Sequence, residues 1–206
     1  MGKYNKKSIL AKVKKSPAFH KESLRRAQLN FNTHKKNLLK NFDRHEITQE
    51  INGGPDASNI SGTLDGYGNL FSFIGFHTGT QPAIALRQFL DERTRLMPTA
   101  RNVVRSHASR IVSKYRIVYP SFDDIASATP MPWEGGSWAI NIERGISGFS
   151  SYLYQLSDRS RSGRGTQAKV RGSGMSNNQR VRGGSYRPAP YLSQIMHQFT
   201  VNFSHF

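Results

Sequence analysis

Residues 157–187 set the tightest limit on how this chain can fold. They consist almost entirely of Ser, Gly, Arg, Gln and Asn, and such a stretch buries too little apolar surface to offset the entropy of ordering it. A core must therefore be assembled from the segments on either side, with the C-terminus returning to join what precedes. Pro188-Ala189-Pro190 stiffens that return, and Tyr191, Ile195, Met196 and Phe199 follow at helical spacing, which predicts a C-terminal helix of two to three turns. The apolar content is 36%. That is below the roughly 45–50% (Gly included) usual for globular chains, and it fits a modest core with much surface.

Charge is divided as sharply as composition. The net charge is +17 over 206 residues. Residues 1–45 hold 13 of the 30 Lys/Arg against only Glu22 and Asp43, and 159–187 hold eight with no acid at all. The remaining 132 residues carry nine basic and eleven acidic groups, so a nearly neutral body bears two cationic appendages. These are either solvated tails or contacts for anionic partners, nucleic acid or acidic protein surfaces. Lys3, Lys6, Lys7, Lys12, Lys14 and Lys15 carry the first appendage. Arg159, Arg161, Arg164, Lys169, Arg171, Arg180 and Arg182 carry the second, and the arginines among them suit bidentate contact with phosphate or carboxylate. No aromatic residue interrupts that run before Tyr186. Base stacking is therefore unsupported, and any nucleic-acid contact is expected on the backbone, independent of sequence.

The body reads as one α+β domain over 16–206, with a basic arm at 1–15 that shows little periodicity and a long loop at 157–187. Ser16-Pro17 starts a long helix whose stripe is Leu24, Ala27, Phe31, Leu38 and Phe42, running to about Arg44. Lys21, Arg25, Arg26, Lys35, Lys36 and Lys40 occupy its other faces. A second helix opens at Pro82 and runs to about Leu96, and a short one, 122–128, is capped by Ser121. Strands are expected at 47–51, 70–76, 110–119 and 137–143, the last with Trp138, Ile140 and Ile142 on one side. The fold expected is thus an antiparallel β-sheet packed by the long N-terminal helix and shorter helices.

Signatures of chemistry are missing. There is no cysteine, so disulfides, zinc–thiolate sites and thiol nucleophiles are excluded. No phosphate-binding loop or nucleophile elbow occurs. His45-Glu46-Ile47-Thr48-Gln49 resembles a zinc-protease helix but has Gln49 where the second histidine belongs. Asp123-Asp124 is placed to cap a helix rather than to form a catalytic pair. Trp133, Trp138, Tyr152 and Tyr191 suit core or interface anchoring better than ligand stacking. No cofactor or metal is expected. The longest apolar stretch, Leu70–Phe76, is seven residues against the ~20 that span a bilayer, so no membrane segment is expected and the chain reads as soluble.

Three stretches, HEITQEINGGPDASNISGTLDGYGNLFSFIGF (45–76), MPWEGGSWAINIERGISGFSSYLY (131–154) and RPAPYLSQIMHQF (187–199), taken in order, resemble the head–tail connector and tail-completion proteins of long-tailed bacteriophages. The resemblance covers about a third of the chain and includes no catalytic signature. It implies a ring-forming virion protein of the neck, assembled in the host cytoplasm. Its partners would be copies of itself and neighbouring portal, neck or tail proteins, with possible backbone contact to packaged DNA. A sequence-independent nucleic-acid-binding protein, ribosome- or DNA-associated, is the competing reading of the charge.

Overall fold

The stripe expected after Ser16 forms a 28-residue helix, α2 (Pro17–Arg44), in the computed structural model of the chain. The model describes residues 6–64, 68–97, 105–107, 110–132, 136–144, 153–155, 166–168 and 189–204. Pro17 holds Ser16 extended (φ −70°, ψ 121°), which breaks α2 from the helix before it. That preceding helix, α1 (Lys6–Lys15), lies where an arm without periodicity was expected. Ile9, Leu10 and Val13 stand at i, i+1 and i+4, and the intervening lysines and Ala11 favour helix, so local propensity suffices.

The chain is mostly helical, and this corrects the expected sheet. Three of the anticipated strands are helices: α3 (Glu46–Asn52), α4 (Leu70–Ile74) and α7 (Trp138–Arg144). Each has a polar residue that starts it. His45 accepts from the Ile47 N–H, Asn69 from the Ser72 N–H at 2.9 Å, and Ser137 Oγ from the Ile140 N–H at 3.2 Å. Gly75, at φ 86°, ends α4 in the left-handed conformation that a side chain would resist. Ile47 and Ile51, Leu70 and Ile74, and Trp138 and Ile142 are each four apart and buried. A short apolar run buried on most sides has no surviving period to tell strand from helix.

Other elements lie close to expectation. Helix α5 (Pro82–Arg93) stops short of the expected Leu96, which lies instead in β1 (Arg95–Met97) after Thr94 turns extended, and α6 (Phe122–Ala128) starts on a reciprocal Ser121–Asp124 capping box. The β-rich region contributes β3 (Arg110–Val112) and β4 (Arg116–Val118). The strands form two-stranded antiparallel pairs: β1 with β4, β3 with β2 (Arg105–His107), and β5 (Leu153–Gln155) with β6 (Thr166–Ala168). Strand β6 lies inside the segment expected to be loop throughout; backbone pairing of three residues needs no buried side chain. Helix α8 (Leu192–Ser204) closes the fold along α2, as the return after Pro190 implied.

One core joins both ends of the chain. Phe31, Leu38 and Phe42 from α2 meet Leu86 and Leu90 of α5 and Leu192, Ile195 and Phe199 of α8. Glu50, fully buried in α3, ties the loop before α4 to this core. Its carboxylate accepts from the Leu70 N–H at 2.7 Å, the Ser61 N–H at 3.0 Å and the Ser61 hydroxyl at 2.6 Å. Glu143 of α7 caps α8 from a distance in sequence, accepting from the Tyr191 N–H at 3.1 Å and from the Ser193 N–H.

Candidate interaction surface

Helix α2 is longer than the core that it serves. Its buried residues begin at Phe31, so its first half extends past them. Leu24, on the same stripe as Phe31 and Leu38, is 38% exposed, and Leu29 is 52% exposed. Alongside this projecting half, the Tyr115 hydroxyl donates to Ser23 Oγ at 2.8 Å, and α1 adjoins its start across Ser16. Glu22 sits here between Arg25 and Arg26, at 2.8 and 2.9 Å. Hydrogen bonds from Arg25 and then Arg26 bring its carboxyl down to about 2, so at neutral pH one anion offsets part of this cationic surface. The fully exposed pairs add little to stability.

Farther along α2 the flanks are held. On one side Lys35 Nζ meets Asp91 at 2.8 Å and Arg87 meets Asp43 at 2.8 Å, both across to α5. On the other, Asn41 donates to Gln198 Oε1 at 3.1 Å, and Phe203 lies against His34 and Phe31. Between these flanks, opposite the buried stripe, Lys36, Lys40 and Arg44 face outward and are exposed. No acidic partner meets them among the described residues.

Where α2 gives way to α3, an open cleft of about 300 Å³ is lined by Asn41, Arg44, His45, Glu46, Gln194 and Gln198 together with Ile195. His45 ends one helix and begins the next. Its Nδ1 accepts from the Ile47 N–H at 3.3 Å, and its ring packs 4.9 Å from that of Tyr191. Burial pushes the imidazole below its ordinary value, against a hydrogen bond to the Pro190 carbonyl and the charges of Glu46 and Glu143. Below it, Tyr191 is fully buried, stacks on Phe42, and shares a 2.7 Å hydrogen bond with Thr48 Oγ1; burial raises its phenol.

The residues singled out from sequence are placed unequally. Lys6 and Lys7 begin α1, and Lys12, Lys14 and Lys15 form its last turn, with Lys12 and Lys15 exposed. Trp138 and Tyr191 belong to the core, Trp138 edge-on to Phe76 at 5.7 Å. Lys3, Trp133, Tyr152, Arg159, Arg161, Arg164, Lys169, Arg171, Arg180 and Arg182 lie outside the described residues. Arg44 and the cleft beside it were not anticipated: His45 reads as half of a failed metal motif, and Gln194 and Gln198 come from a helix far away in sequence. Among the described residues, no cluster of His, Asp or Glu could hold a metal ion, and no helix is long and apolar enough to cross a membrane. Comparisons with protein-family models, curated proteins and solved structures gave no match.

Proposed function

We propose that this chain is a non-enzymatic structural protein of a tailed-bacteriophage virion, one copy of a closed ring in the neck that joins head to tail. The observation that carries the proposal is the projecting half of α2. A helix that continues past its own core with Leu24 and Leu29 exposed presents a surface suited to covering by another chain. The resemblance of 45–76, 131–154 and 187–199 to neck and tail-completion proteins supplies the identity of that assembly. The finer expectation, a sheet-based α+β scaffold like that of the resembled proteins, would rest on the strand pairs of 95–118 and 153–168. The partners are then further copies of this chain and adjoining portal, neck or tail proteins, in a virion assembled in the host cytoplasm.

Native mass measurement of the purified chain, alone and mixed with neighbouring neck proteins, tests the proposal. A closed oligomer of the 23.2 kDa chain, or its incorporation into the particle, is the expected result. A monomer that never enters a particle overturns it. A second reading, sequence-independent nucleic-acid binding, is favoured by one specific feature, the outward cations Lys36, Lys40 and Arg44 of α2, which meet no acid among the described residues.

A further inference from the structure

We infer that Lys36, Lys40 and Arg44 form a contact for the sugar–phosphate backbone of duplex DNA, a site separate from the projecting half of α2. The three residues are spaced i, i+4 and i+8, so they stand in one row on the helix face turned away from the core. The row is ~12 Å long, and one DNA strand carries a charge about every 3.4 Å of axis, so it spans about three phosphates. Neighbouring cations of α2 are committed to carboxylates: Lys35 to Asp91, and Arg25 and Arg26 to Glu22. Lys36, Lys40 and Arg44 meet no acid among the described residues, so their charge is available to a ligand. Arg44 borders the amides of Asn41, Gln194 and Gln198, which extend the row with neutral hydrogen-bonding groups. Glu46, which also lines that cleft, would repel a phosphate and so marks where the track stops.

The composition of the surface separates duplex DNA from the other occupants. Single-strand binders stack bases on aromatic side chains, and none of the exposed large apolar residues from 32 to 44 is aromatic, because there are none at all. The same lack argues against an acidic protein, whose interface would need an apolar centre within its charged rim. Leu24 and Leu29 provide such a centre only in the other half of α2. The long helix is thereby divided, with protein contact toward its start and phosphate contact toward its end.

The inference does not depend on the neck assignment, and its test keeps the two apart. Binding of the full chain to a labelled duplex of random sequence is followed by fluorescence anisotropy across a salt series. The triple variant Lys36→Gln, Lys40→Gln, Arg44→Gln is compared with a charge-matched control, Arg93→Gln, Arg95→Gln, Arg116→Gln, all exposed positions elsewhere. Losing three phosphate contacts should flatten the slope of log affinity against log salt by about 2.7, whereas the control should change it by less than about 1. Equal slopes for the two variants overturn the inference. So does a triple variant that loses affinity for polyglutamate while its duplex slope stays at the wild-type value, which would assign the row to an acidic protein. Circular dichroism confirms that the variants are folded. Oligomer mass, read on the same samples, reports the ring separately.

Discussion

At the scale of single residues, the fully buried Glu50 and the half-buried His45 hold the chain in place by opposite chemistry. Glu50 is a carboxylate surrounded by neutral donors rather than by a counter-ion. Removing it strands the Leu70 and Ser61 N–H groups, so Glu50→Ala should destabilise the fold by about 3 kcal/mol. In urea unfolding this appears as a lower midpoint with an unchanged slope; a loss under about 1 kcal/mol would mean that water replaces the carboxylate without cost. His45 works in its neutral form, because Nδ1 must be unprotonated to accept from Ile47. Its folded pKa is depressed by burial, so the unfolded chain takes up a proton first as pH falls below about 6.5. Stability is full above that pH and declines as pH falls from there toward the folded value. Comparing unfolding at pH 7.5 and 5.5 should show this decline in the parent and much less of it in His45→Asn, which keeps a cap acceptor without the titration. Neither role is visible in sequence, where His45 reads as half of a failed metal motif and Glu50 as part of the strand expected at 47–51. Their partners, Ser61, Leu70 and Tyr191, are set by how the chain folds back.

At the scale of elements, legibility followed length and capping. The stripe of α2, the proline at the start of α5 and the Ser121 cap of α6 were readable because each combines a period or a cap with a clear boundary. Helices α3, α4 and α7 are five to seven residues long and buried on several sides. With under two turns, an apolar pair at i, i+4 is also compatible with a strand, and the β-branched isoleucines tipped the reading the wrong way. What sequence could not show is where along α2 the core stops, since Leu24 fits the stripe as well as Leu38 does. That boundary leads to a prediction for the element. Leu24→Ser with Leu29→Ser should alter the chain's own stability by no more than about 0.5 kcal/mol, as expected of exposed positions. The same double variant should weaken the oligomer in sedimentation at matched concentration. A stability loss of about 2 kcal/mol or more would place these leucines inside the core instead.

At the scale of the whole molecule, the division of charge matches the division of burial. The core draws on α2 to α8, whereas exposed cations cluster on α1 and the outer side of α2, and the sequence concentrates its remaining run of cations in the arginine-rich segment. By composition 159–187 has little to bury, with Val170, Met175, Val181 and Tyr186 as its only large apolar residues. Apart from the short β6 pairing with β5, the segment is expected to act on stability through the entropy of connecting α7 to α8, and closure cost rises only slowly with length. Replacing 159–187 with a short Gly-Ser link, which cuts the connection to roughly half, should therefore raise stability by about 0.6 kcal/mol rather than lower it. Thermal unfolding checks this, and a loss of several kcal/mol would show that the segment helps to build the body. Given a stable body, the deletion then separates the roles of the two cationic regions. If assembly is lost while the salt dependence set by Lys36, Lys40 and Arg44 persists, the arginine-rich segment grips protein and α2 meets DNA. If assembly is retained and the duplex slope falls by about 0.9 for each phosphate contact removed, both regions follow the same polyanion.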